Sequence, residues 1–112
     1  MSQGWDIPEV SAVDVAADSF LLDVRNPDEW DAGHAPTAHH LPMMEIPARV
    51  DEVPADRDVV VVCKVGARSA QVVAFLRANG FDRVANLDGG MWAWEAAGRP
   101  IVGADGGAGR VL

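Results

Sequence analysis

Residues 59–69 read Val59-Val60-Val61-Val62-Cys63-Lys64-Val65-Gly66-Ala67-Arg68-Ser69. Four consecutive β-branched residues favour extended backbone and offer no polar face. A strand of that kind is buried on both sides, as at the centre of a parallel sheet. Lys64 to Ala67 then makes a tight loop. Arg68 to Asn79 reads as a helix with Val72, Val73 and Leu76 on one face, stopped by Asn79-Gly80. The unit is a buried strand, a turn and a helix.

Working outward, the same alternation recurs. Phe20-Leu21-Leu22-Asp23-Val24 is a second buried strand. Asn26 before Pro27 starts a short helix that stops near Gly33. Ala35 to Leu41 passes from loop into a short strand, and Glu45 to Val53 reads as a weak amphipathic helix. Val84 to Leu87 is a further strand. Gly89-Gly90 opens a last short helix carrying Trp92 and Trp94, ended by Gly98 and Pro100. Residues 1–10 read as an arm with a short strand, and Ser11 caps a short helix through Val15 and Ala16. Strand–helix alternation at this spacing predicts an α/β domain with a mostly parallel sheet and helices on both faces. In such sheets, sites form where loops leave the carboxyl ends of strands, which is where Cys63 sits.

A chain of 112 residues fits one domain. Its 49% hydrophobic and 23% charged residues exclude disorder of the whole chain. The net charge of −8 disfavours nucleic-acid and anionic-membrane partners. No apolar run reaches the roughly 20 residues of a membrane helix. The N-terminal MSQGWDIPEV has neither a basic nor an apolar leader region, so the expected location is the cytoplasm. The single cysteine excludes an internal disulfide and a multi-thiolate zinc site. No metal and no cofactor are expected.

A lone cysteine closing a valine run can be a small buried hydrophobe. That reading leaves the next residues unexplained. A helix N-terminus presents unpaired N–H groups and the positive end of its dipole, which lower the pKa of a thiol. Gly66 lets successive N–H groups converge, Lys64 and Arg68 add two cations, and Ser69 offers a hydroxyl. The loop suits a thiolate nucleophile, or a charged adduct on its sulfur. Four residues separate Cys63 from Arg68, one fewer than in tyrosine-phosphatase-type loops. A smaller cradle fits a persulfide sulfur better than a tetrahedral phosphate or arsenate.

Three motifs in order resemble the single-domain form of the rhodanese family. Leu22-Asp23-Val24-Arg25, Asn26-Pro27-Asp28-Glu29-Trp30 and Gly33-His34 resemble its first signature. Cys63 to Ser69 resembles its active loop, C-x-x-G-x-R-S. Leu87-Asp88-Gly89-Gly90-Met91 with Ala93-Trp94 resembles its closing L-x-G-G-x-x-x-W signature. The chain departs from the family at Ala35 and Thr37, where Ile and Gly are usual. The resemblance covers about residues 5–102, expected as the domain, and leaves 103–112 as a Gly-rich, mobile tail. It implies a five-stranded, mostly parallel sheet and a two-step sulfur transfer. Cys63 takes a sulfane sulfur from an anionic donor, thiosulfate or a low-molecular-weight persulfide. A thiophilic acceptor then removes it: cyanide, a small thiol or a protein cysteine. Lys64, Val65, Gly66, Ala67, Arg68 and Ser69 cradle the persulfide, with Lys64 and Arg68 drawing in the donor. Mercaptopyruvate-specific relatives tend to carry small neutral residues in place of Lys64 and Val65, so the cationic loop leans toward the donors named.

The remaining polar residues have plainer readings. The resemblance implies that Asp23 and Arg25 belong to a supporting shell; their plainer reading is a structural ion pair and hydrogen-bond anchor. His34 is a structural hydrogen bonder, and His39-His40 point to opposite faces with no cysteine beside them. Trp30, Trp92 and Trp94 line core or groove; Met43-Met44 pack, or line the pocket mouth. Asp28, Glu29 and Asp31 form a solvated helix face. A sulfurtransferase is the leading reading and a monomer its expected state. A persulfide carrier or interaction module for a protein partner, and a small phosphatase or arsenate reductase, are the alternatives.

Overall fold

The computed structural model describes residues 7–112, so the first six residues of the expected N-terminal arm lie outside it. Among the described residues, five strands form one sheet: β1 (Glu9–Val10), β2 (Phe20–Asp23), β3 (His39–His40), β4 (Val59–Val62) and β5 (Val84–Leu87). Their order is β1-β5-β4-β2-β3, and every pairing is parallel. The valine run is therefore the middle strand, between β2 and β5. All four of its side chains are buried.

Alternation along β4 divides the core in two. Val59, Val61 and Cys63 join the cluster under α2 (Ala67–Ala78), with Val72, Val73 and Leu76. Val60 and Val62 join the opposite cluster, with Met91 and Trp94 of α3 (Gly90–Ala96) and with Ala12 and Val15. A third helix, α1 (Pro27–Ala32), follows β2. The fold is the expected five-stranded parallel sheet with helices on both faces.

Two expectations are corrected. Glu45 to Val53 is not one helix but two single 3-10 turns, Met43–Glu45 and Val50–Glu52. Pro47 breaks the helical hydrogen-bond pattern between them, and Ile46 still reaches the core. The tail after Val102, expected to be mobile, folds back on the end of α1. The Arg110 N–H donates to Ala32 O at 2.9 Å, the Ala104 N–H donates to Asp31 O at 3.2 Å, and Ala108 bridges Val102. Gly33 makes this possible, because a Cβ there would run into the Arg110 backbone.

Candidate active site

The loop between β4 and α2 leaves the carboxyl end of the central strand. Gly66, with φ +114°, caps α2 from the left-handed region and turns its N–H back toward the cysteine. That N–H lies 3.1 Å from Cys63 Sγ, and Ser69 Oγ lies 3.2 Å from it. Burial of Cys63 pushes its pKa up. The Ser69 hydroxyl and the N–H groups of Ser69, Gly66 and Val65 outweigh it, and the thiol sits below its ordinary value. The arrangement is a buried thiol whose ionised form is favoured by convergent donors.

The adjacent elements fix this loop from below. The Met91 N–H donates to Cys63 O at 2.8 Å and the Trp92 N–H to Lys64 O at 3.1 Å. Gly90 has φ +58°, and a Cβ there would collide with the Cys63 and Lys64 carbonyls. Asn86 is buried on β5, and its Nδ2 donates to Gly66 O at 3.1 Å. Its Oδ1 accepts the Ser69 hydroxyl. That hydroxyl has one proton and two acceptors within reach, Asn86 Oδ1 and Cys63 Sγ.

Asp23 and Arg25 lie together, both fully buried. Arg25 Nη2 donates to Asp23 Oδ2 and to Gly33 O, each at 2.8 Å. The pair ties the end of β2 to the turn after α1. His40 Nε2 donates to Arg25 O, and His34 Nδ1 donates to Trp30 O. Both imidazoles stack on Trp30, at 3.6 and 4.7 Å between ring centroids. His39 Nε2 meets Glu52 instead, so the adjacent histidines serve different partners. Met43 packs on the α2 cluster and Met44 is exposed. Ala35 is buried in the α3 cluster and Thr37 is exposed on its turn.

The two loop cations differ sharply. Lys64 Nζ stands 5.4 Å from the centre of the half-exposed Trp92 ring. Arg68 is ion-paired: its Nη1 and Nη2 donate to Glu29 Oε1 and Oε2 at 2.7 and 3.0 Å. Glu29 is not part of a solvated face, since its side chain is only 13% exposed. The Arg68 hydrogen bonds hold its carboxyl down at about 2. Asn86 is the neighbour of the loop to which the sequence assigned no role, and Glu29 and Gly90 were read in other roles. A lone Asn inside the apolar Val84–Leu87 strand was the available signal, because a buried amide needs partners.

Comparison with known proteins fits this geometry. The Rhodanese-like domain model matches residues 9–97. The chain belongs to the rhodanese-like family. A sulfurtransferase from Allochromatium vinosum is 49% identical over 80% of this chain and 83% of its own length. A putative sulfurtransferase from Bacillus subtilis, YtwF, is 38% identical over 72% of this chain and 78% of its own. The crystal structure of a rhodanese-related protein from Thermoplasma volcanium superposes with a TM-score of 0.79. It is 28% identical and covers 85% of this chain and 97% of its own. The rhodanese fold and a general role in sulfur transfer are thereby shown. Among the described residues, no helix is long and apolar enough to cross a membrane.

Proposed function

We propose that this rhodanese moves sulfane sulfur through a persulfide on Cys63. The observation that carries the reading is the Cys63 sulfur at the end of the central strand, with the Gly66 N–H at 3.1 Å and the Ser69 hydroxyl at 3.2 Å. In the first step the Cys63 thiolate attacks the outer sulfur of the donor. A bond forms between Cys63 Sγ and that sulfur, and the donor's sulfur–sulfur bond breaks. Its electron pair leaves on the first product, a thiolate from a persulfide or sulfite from thiosulfate. In the second step a cyanide or thiolate acceptor attacks the outer sulfur, and the electron pair returns to Cys63. The N–H groups of Val65, Gly66 and Ser69 stabilise the anion at each stage. The donors that lower the Cys63 pKa favour the thiolate without a general base beside it. A reactive thiol of this kind suits a reducing compartment such as the cytoplasm.

Cyanide-dependent thiocyanate formation tests the reading. Wild-type protein should turn over with thiosulfate, a low-molecular-weight persulfide or both. Cys63→Ala should give only the uncatalysed rate. A Cys63→Ala protein that turns over like wild type contradicts the mechanism.

A further inference from the structure

Charge around Cys63 is arranged in pairs. Asp23 and Arg25 neutralise each other in the core. Glu29 and Arg68 do the same closer to solvent, through two parallel hydrogen bonds. Glu29 is fixed a second time, because its Oε1 also accepts the Asn26 N–H at 3.1 Å. The carboxylate is thus part of the first turn of α1 and cannot leave Arg68 without disturbing it. Arg68 lies in the first turn of α2 next to Ser69, whose hydroxyl is 3.2 Å from Cys63 Sγ, so its charge sits close to the sulfur. With both pairs closed, Lys64 is the loop cation with no carboxylate partner among the described residues, and its Nζ stands over the Trp92 ring.

The donors place different demands on this balance. Thiosulfate brings two negative charges within bonding distance of a thiolate. Three negative charges then meet in a site of reduced dielectric, where like charges repel more strongly than in water, while the Arg68 charge is offset by Glu29. An alkyl persulfide brings at most one charge to its reacting end. We infer that Glu29 is a specificity-determining residue: by holding Arg68 it turns the Cys63 site toward alkyl persulfides and away from thiosulfate. This inference rests on the proposed Cys63 persulfide. The covalent step is the one given above, with a thiolate leaving from the alkyl persulfide.

The experiment is single-turnover loading of Cys63, followed by intact mass, with thiosulfate or glutathione persulfide. Wild type should load faster from glutathione persulfide. Glu29→Gln keeps an oxygen for the Asn26 N–H but releases the charge of Arg68. It should raise the ratio of thiosulfate to persulfide loading rates by about tenfold, most at low salt. Asp28→Asn removes a charge from the exposed side of the same helix and should leave the ratio within about twofold. An unchanged ratio in Glu29→Gln, or an equal change in Asp28→Asn, overturns the role of Glu29. Sulfate as a competitor against wild-type persulfide loading needs no variant. Weak competition supports the inference, and strong competition by this unreactive dianion overturns it. Failure of both donors to load wild-type Cys63 would instead remove the persulfide reading beneath it.

Discussion

At Cys63, burial and hydrogen bonding act in opposite directions. Burial disfavours the thiolate, and four donor groups favour it. The Ser69 hydroxyl is the only side chain among them, and Asn86 competes for its proton. Ser69→Ala should therefore raise the thiol pKa. Alkylation of Cys63 by iodoacetamide at neutral pH should slow by about tenfold, the equivalent of one charge-assisted hydrogen bond of ~1.5 kcal/mol. An unchanged rate would mean that the proton stays with Asn86. The cysteine and its loop were legible in sequence because their chemistry is local: a strand, a glycine and a helix start within seven residues. Glu29 was not legible as a partner. It lies 39 residues from Arg68, and its meeting with Arg68 depends on where α1 lands beside the sheet. Read along its own helix, it is one more acidic residue after Asp28.

Among the elements, the strands and α2 follow directly from residue pattern, since valine runs and an apolar helix stripe each permit one burial mode. The segment from Glu45 to Val53 carries a helical apolar pattern, but Pro47 removes a donor in its middle. Two 3-10 turns keep Ile46 and Val53 in the core without that donor. Glycines decide two further contacts through close approach, which pattern does not reveal. At Gly90 the chain needs φ +58° and has no room for a Cβ against the Cys63 loop. Gly90→Ala should cost ~2 kcal/mol or more in urea unfolding and weaken persulfide loading. A loss below ~0.5 kcal/mol, the usual range of a neutral surface change, would contradict the close packing described. At Gly33 the backbone is extended, and the issue is space alone. Gly33→Ala should displace the tail and abolish hydrogen-exchange protection of the Arg110 N–H, which a tail held by other contacts would retain.

Across the whole molecule, the parallel sheet places the carboxyl ends of β2 and β4 side by side, with β5 flanking β4. Asp23, Cys63 and Asn86 thus converge from three strands on one end of the domain. The order β1-β5-β4-β2-β3 is the part that local patterns leave open, because any of several strand orders would bury the same residues. The acidic balance of the chain also has a consequence for stability. Glu29 is held at about 2, below its ordinary 4.5, by Arg68. Glu52 is held at about 2 by Arg49 and then His39, in a partly exposed setting that salt screens. A depressed carboxylate contributes stability that is present above pH 4.5 and is lost as pH falls toward 2. Unfolding free energy should therefore drop across that window, and Glu29→Gln should flatten the drop. Urea titrations at pH 6 and pH 3 measure it; equal slopes for wild type and variant would contradict the folded-state pairing. The central claim, sulfur carried on Cys63, is tested most directly by intact mass after incubation with a sulfane-sulfur donor, before and after cyanide. The account predicts a gain of one sulfur atom on wild type, removed by cyanide, and no gain on Cys63→Ala. Sulfur bound equally by both proteins, or by neither with thiosulfate and glutathione persulfide alike, would contradict it.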